Sequence, residues 1–304
     1  MRTLFRPCAV VLAACAALLL VSGCSSSGTD RVQIVVTTNI LGDMTRAVVG
    51  DAADVLVLMP AGADPHQFAI SAQQAARIER AALLIHNGLG LETGVQRQVS
   101  AAEDSGVPAL SVGERVGPIN YRNSDRPDPH FWTDPARAHR AVEAISARVL
   151  EISGIDTEAV RGNSARYLTE LSTLDAWMTQ RFATLTPDQR RLVTNHHVFG
   201  YLAQRFDFQV IGAIVPSGTA LASPSASDLA ELATAVRDSG VPTIFADSSQ
   251  PDRLARVLAE QAGVHVKVAA LHTESLTAPG GGAATYLEMM RANTEAIVTG
   301  LTLR

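Results

Sequence analysis

Three histidines and one glutamate carry the residue types from which chemistry could be built. His130 lies in Asp128-Pro129-His130-Phe131-Trp132-Thr133-Asp134-Pro135. The two prolines fix their own φ and keep the residue before each of them out of the helical region, so the histidine is aimed rather than floppy. Phe131 and Trp132 can shield its ring from water. A second Asp-Pro-His, Asp64-Pro65-His66, and the pair His196-His197 repeat the residue type, and Glu274 in Thr273-Glu274-Ser275-Leu276 adds a carboxylate. Neutral imidazoles and carboxylates are ligands of divalent transition metals. A single histidine beside aromatics is as readily a packed, hydrogen-bonded residue, so the argument rests on where all of them fall.

The elements that must position them alternate between two periods. Val32 to Val36, Val55 to Leu58, Leu83 to His86 and Ala109 to Val112 read as strands. Helical spacing runs over Ile40 to Val49, Ser71 to about Ala81 and Glu92 to Ala102. Asp134 before Pro135 reads as the N-cap of a helix reaching about Leu150. One long helix is expected from Thr157 to Leu185, between Asp156 and Thr186-Pro187. The alternation then resumes with strands Leu192 to Thr194, Val210 to Val215, Thr243 to Ala246 and Val264 to Ala270. Helices Val198 to Phe206, Ser227 to Ser239, Asp252 to Ala262 and Ala284 to Leu301 accompany them. The fold class is therefore α/β, with two similar lobes, each a mostly parallel sheet covered by helices, joined by one long linking helix. The divisions are 31–156, 157–186 and 187–304.

In such sheets ligands bind beyond the carboxyl ends of the strands. His66 and His130 fall in loops there, His196 immediately after a strand ending at Thr194, and Glu274 just after one ending near Leu271. Three histidines so placed are hard to explain as packing. His86 reads as buried or bonded to its turn, His139 as solvated on a helix and His265 as having no visible partner. His197 points away from its neighbour His196, and His272 is a candidate for the edge of the site.

The first 23 residues do not belong to the fold. Arg2 and Arg6, an apolar run from Cys8 to Val21 and small residues before Cys24 describe a secretory signal, too short for a comfortable membrane span. Val21-Ser22-Gly23-Cys24 resembles the bacterial lipobox, which implies acylation of Cys24, followed by a flexible linker to residue 30. Cys8 and Cys15 leave with the signal, so no disulfide is expected. The whole chain carries −5, and removal of its two signal arginines leaves −7, which argues against a nucleic-acid partner.

The chain resembles the metal-binding lipoproteins of zinc and manganese ABC importers. Asp64-Pro65-His66, Asn87-Gly88-Leu89-Gly90-Leu91-Glu92, Pro129-His130-Phe131-Trp132-Thr133-Asp134-Pro135, His196-His197-Val198-Phe199-Gly200-Tyr201, Ile244-Phe245-Ala246-Asp247, Thr273-Glu274-Ser275-Leu276, Tyr286-Leu287 and Asn293-Thr294 carry the resemblance over nearly the whole mature chain. It implies that His66, His130, His196 and Glu274 surround one metal ion, and that a monomer held to the membrane through Cys24 passes the ion to an importer permease. Two departures stand out. Glu274 replaces the family's usual Asp, and the stretch Gly117 to Arg126 carries no histidine-rich loop, offering Tyr121, Asn123 and Asp125 instead. Three imidazoles suit Zn2+ better than Mn2+, the alternative cargo. Four protein ligands leave no place for an activated water, so a holding site is expected rather than an enzyme. The rivals are a zinc hydrolase with Glu274 as general base, and a surface adhesin on the same scaffold. A ligating histidine must be neutral, so affinity is expected to fall as pH drops through about 6.5.

Overall fold

The structure is a computed structural model that describes residues 31–122, 124–215, 225–263 and 266–302. The signal segment, the lipobox with Cys24, Asn123, Val264 and His265 lie outside the described residues. Val32–Arg304 forms one compact unit.

In chain order the first lobe runs β1 (Gln33–Val36), α1 (Asn39–Val49), β2 (Asp54–Val57), α2 (Ala72–Ile78), β3 (Leu83–His86), α3 (Gln96–Asp104), β4 (Ala109–Ser111) and α4 (Pro135–Val149). The long helix α5 (Thr157–Phe182) follows. The second lobe runs β5 (Arg191–His196), α6 (Gly200–Phe206), β6 (Gln209–Val215), α7 (Ala226–Ser239), β7 (Thr243–Asp247), α8 (Arg253–Gln261), β8 (Lys267–Leu271) and α9 (Tyr286–Thr302). Each lobe holds a four-stranded, wholly parallel sheet, in the orders β2-β1-β3-β4 and β6-β5-β7-β8. The two orders match position for position, so the lobes are alike in topology.

Parallel sheets are covered on both faces, which is why their strands are short apolar runs. Ile34, Val35 and Val36 of β1, and Val193 and Ile244 in the second sheet, are completely enclosed. Helix starts follow local chemistry. Ser71 accepts from the Gln74 amide while the Gln74 side chain returns to Ser71, and Asp134 and Asp156 cap α4 and α5. Helix α5, about 39 Å long at 1.5 Å per residue, buries a stripe spaced by threes and fours: Val160, Ser164, Tyr167, Leu171, Leu174, Met178 and Phe182. That stripe packs on α1 and α4 of the first lobe and on α9 of the second. At its end Phe182 meets Phe206 and Phe208 with ring centroids 5.0 and 4.9 Å away. Among the described residues no helix is long and apolar enough to cross a membrane.

Several expected boundaries shift by a few residues, and three of the shifts bear on the site or the lobes. The helix expected from Glu92 begins at Gln96, because the Glu92 carboxylate is used elsewhere: it accepts from the amides of Asn87 (2.6 Å) and Gly88 (3.1 Å) and from the Thr37 hydroxyl (2.6 Å). The strand expected to stop at Thr194 continues through His196, which pairs with Val215 of β6. The long helix ends at Phe182, three residues early, in a turn from Ala183 to Leu185.

Candidate metal centre

His66 comes from the loop between β2 and α2. Its amide donates to Asp64 Oδ1 (2.8 Å) and its carbonyl accepts from Thr93 Oγ1 (2.5 Å), so the backbone is tied on both sides and the ring is 2% exposed. His130 precedes a short 3-10 turn, Phe131–Thr133. Asp128 Oδ1 accepts from both its amide (3.0 Å) and its Nδ1 (2.7 Å), which makes Nδ1 the protonated nitrogen and turns Nε2 inward. The turn Asn87-Gly88-Leu89-Gly90, with positive φ from Gly88 to Gly90, aims Asn87 Nδ2 at the Pro129 carbonyl (3.1 Å). The Glu92 carboxylate described above holds that turn, so it supports the His130 loop at one remove. On the far side Trp132 Nε1 donates to Thr273 O (2.8 Å) and Tyr286 Oη donates to Trp132 O (2.7 Å), joining the loop to the second lobe.

His196 closes β5, its carbonyl held by Thr194 Oγ1 at 2.7 Å. Glu274 follows β8. Asp247 anchors the preceding Thr273 through its hydroxyl and amide, and Asn39 of α1 anchors the following Ser275 and Leu276.

All four candidates converge, with ligand atoms within 4.8 Å of one another and all four residues buried. His66 Nε2 is 3.4 Å from His130 Nε2 and 3.9 Å from Glu274 Oε2; His130 Nε2 is 3.3 Å from Glu274 Oε1, and His196 Nε2 is 2.5 Å from it. A tetrahedron of donors about 2.0–2.2 Å from zinc has edges of roughly 3.3–3.6 Å. Three of these separations lie at or near that scale, and the 2.5 Å contact is a proton-bridged pair that an ion would spread. Nδ1 of His66 and of His196 and Oε2 of Glu274 are buried without a hydrogen-bond partner among the described residues. Two donors come from each lobe.

The electrostatics set His130 apart from His66. Burial pushes His130 down, but the charges of Glu274 and Asp128 and its hydrogen bonds to both raise it to about 10. His66 is lowered, by burial first and then by His130 and His196, against the pull of Glu274. Burial pushes Glu274 up, yet the charge of His130 and hydrogen bonds to His130 and His196 hold it well below the usual carboxylate range. The group is a buried cage that brings together three imidazoles and one carboxylate, the donor types that ligate divalent transition metals.

The remaining histidines fall elsewhere. His86 is buried, with Nε2 3.3 Å from Glu103. His139 is half-buried and faces Glu143 at 3.6 Å. His272 stays outside the group, with Nδ1 2.9 Å from Ser248 Oγ and its amide on Asn293 Oδ1. His197 is half-buried beside the group, not in it. Asp128, Asn87, Glu92 and Asn39 are the positioning residues that sequence reasoning missed. Asp128 had a local signal, as the first residue of an Asp-Pro-His repeated at Asp64, and Asn87 and Glu92 bound a motif that carries the resemblance without showing which bonds they make.

A family model, the periplasmic zinc-uptake complex component A (ZnuA), matches residues 34–300. The chain belongs to the ZnuA family. The manganese-binding lipoprotein MntA of Halalkalibacterium halodurans is 25% identical over 289 residues, covering 93% of this chain and 95% of the relative. The iron-binding protein YfeA of Yersinia pestis is 24% identical over 278 residues, covering 90% and 88%. The solved periplasmic zinc-binding protein TroA from Treponema pallidum shares the fold, with a TM-score of 0.83 at 24% identity over 90% of this chain and 100% of that one. ZnuA-family chains are metal-binding, substrate-binding proteins of importers, and the relatives of this one are named for more than one metal.

Proposed function

We propose that His66, His130, His196 and Glu274 hold one divalent metal ion as cargo, zinc in preference to manganese, and that the chain delivers it to an ABC import permease. The observation that carries this reading is the convergence of four buried donors, two from each lobe, on one point. Residues 31–156 and 187–304 then form the halves of the site, with 157–186 between them. Three imidazoles and one carboxylate make a set on the nitrogen side of the division between zinc-type and manganese-type spheres. Because divalent ions later in the first row bind most nitrogen and oxygen sites more tightly than Mn2+, it is the donor set, and not affinity alone, that argues for zinc. Four protein donors fill a tetrahedral ion, which supports holding over hydrolysis. Acylation of Cys24 would keep the monomer at the outer face of the cell membrane, beside the permease.

The test is calorimetric titration of the mature chain with zinc and manganese, together with its alanine variants. Outer partners of metal ligands already cost about 10–100-fold in affinity when lost, so His66→Ala, His130→Ala and His196→Ala should each weaken zinc by more than that lower bound. His197→Ala should cost far less. A silent His196→Ala with a costly His197→Ala would reassign the pair, and stronger manganese than zinc binding would reverse the choice of cargo.

A further inference from the structure

The four converging side chains are at most 4% exposed, so an ion reaching them must pass through a wall of protein. Against that wall lies a cavity of about 550 Å³. The loop that delivers His130 forms one side, through Tyr121, Arg122 and Asp128. The end of β5, the start of α6 and strand β6 form the other, through His197, Gln204 and Gln209. The rings of Tyr121 and His130 meet in an edge-to-face arrangement with centroids 6.1 Å apart, so the Tyr121 side chain borders both the cavity and the cage. Asp128, which orients His130, also lines the cavity. His197 lines it too, one residue along the chain from His196, and its half-buried imidazole makes no hydrogen bond among the described residues.

Size gives these neighbours a role. A water molecule occupies about 30 Å³, so a cation with six waters needs roughly 200 Å³. The cavity holds that, whereas a cage with edges of 2.5–3.9 Å admits only the bare ion. The waters must therefore be exchanged between the two spaces, and exchange is easiest where a protein donor replaces a departing water. Arg122 stands in the same wall, its guanidinium on Val210 O at 3.3 Å, so charge alone does not draw a cation here. Neutral nitrogen and carboxylate oxygen are the donors on offer.

We propose that this cavity is the entrance of the metal centre, with His197 and Asp128 as a transit site that takes up a partly hydrated divalent cation and Tyr121 as the side chain that moves to let it through. The proposal rests on the reading of the cage given above. Each step exchanges one bound water for one protein donor. The transit complex disappears once the ion is seated, so its loss slows entry and exit together.

Stopped-flow zinc association and chelator-driven release, measured on the mature chain, test it. His197→Ala and the volume-keeping His197→Gln should slow both rates by about tenfold with the affinity moving less than about threefold. Tyr121→Ala should speed both. Changes at a binding surface ordinarily appear mostly in the release rate, so a matched change in both directions with little change in affinity marks a passage. Unchanged rates in all three variants would place entry elsewhere, as by separation of the lobes, and overturn the proposal. An affinity loss carried wholly by faster release would make His197 a resident ligand and overturn it as well. Failure of the wild type to bind zinc at equilibrium would sink the cage reading itself, an outcome that the rates cannot mimic.

Discussion

At the scale of single residues, His130 differs from its two neighbours in what its outer nitrogen touches. With Asp128 on Nδ1 and Glu274 near Nε2, its pKa is raised to about 10, so at neutral pH the ring carries a proton that an arriving ion must displace. His66, lowered by burial, is already neutral there. With His130 a ligand as proposed, metal and proton compete for its Nε2, and raising the pH removes the competitor, so zinc affinity should climb about one decade per pH unit from 7 toward 10. Chelator-competition titrations across that range would check it, with Asp128→Asn expected to flatten the climb because the ring then titrates lower. A wild-type profile level above pH 7 would rule out a protonated His130. The sequence pointed to competition near 6.5 because Asp-Pro-His shows the aspartate but not its bond to the ring two residues on. The four residues that converge were legible, as each is a ligand type, His196 at the end of a strand, Glu274 shortly after one, and His66 and His130 in loops beyond the strands. Their supports were not: a hydrogen bond from Asn87 to Pro129 leaves no trace in either local sequence.

At the scale of elements, the loops carrying His66 and Glu274 meet on the first residue of α1. Asn39 Nδ2 donates to Ser275 Oγ (2.7 Å) and Asn39 Oδ1 accepts from the Leu276 amide (3.0 Å). The Gly62 amide, four residues before His66, donates to Ser275 Oγ (3.0 Å) and Leu276 O (3.1 Å). Ser275 is thus the joint between the loops of the two lobes. Asn39→Ala leaves the buried Leu276 amide without its acceptor, at a cost of about 1–3 kcal/mol. If about half of that falls on the geometry of Glu274, zinc affinity drops by about two- to tenfold. Asn39→Asp keeps the acceptor and should lose less. Calorimetric affinities equal to wild type in Asn39→Ala would show that Glu274 needs no such anchor. Helix boundaries were readable wherever a side chain caps its own helix, as at Ser71, Asp134 and Asp156. The helix start failed at Glu92, a helix-forming residue claimed by three donors outside any helix, and a strand end failed at His196, where pairing with β6 carries the strand past Thr194.

At the scale of the whole molecule, the alternation of apolar runs and amphipathic helices made two parallel sheets legible, whereas the strand orders were not, since order depends on crossovers that local patterning does not record. The two lobes share one cage, and this couples the stability of the chain to pH and metal together. In the metal-free protein His130 has its pKa raised above the unfolded value of about 6.5. The stability it contributes is full below that pH and is lost as pH climbs through about 10. Glu274 is depressed, so its contribution is present above about 4.5 and lost as acid protonates it. His66, also depressed, is neutral when folded and gains a proton more easily when unfolded, so acid below about 6.5 favours unfolding through it. The metal-free chain should therefore melt highest near pH 6.5 and progressively lower toward pH 10. Zinc reverses the alkaline arm, because an ion seated on His130 replaces the proton that is being lost. At one hundred times its dissociation constant, zinc adds about 2.7 kcal/mol, a rise of roughly 5 °C for a chain of this size. At a fixed free-zinc concentration the rise should grow from pH 6.5 to pH 9 as the affinity climbs. Melting curves with and without buffered zinc at several pH values decide it. A zinc-induced rise that shrinks with pH over that interval would mean the ion binds without displacing the His130 proton, and the cage would then not be its seat.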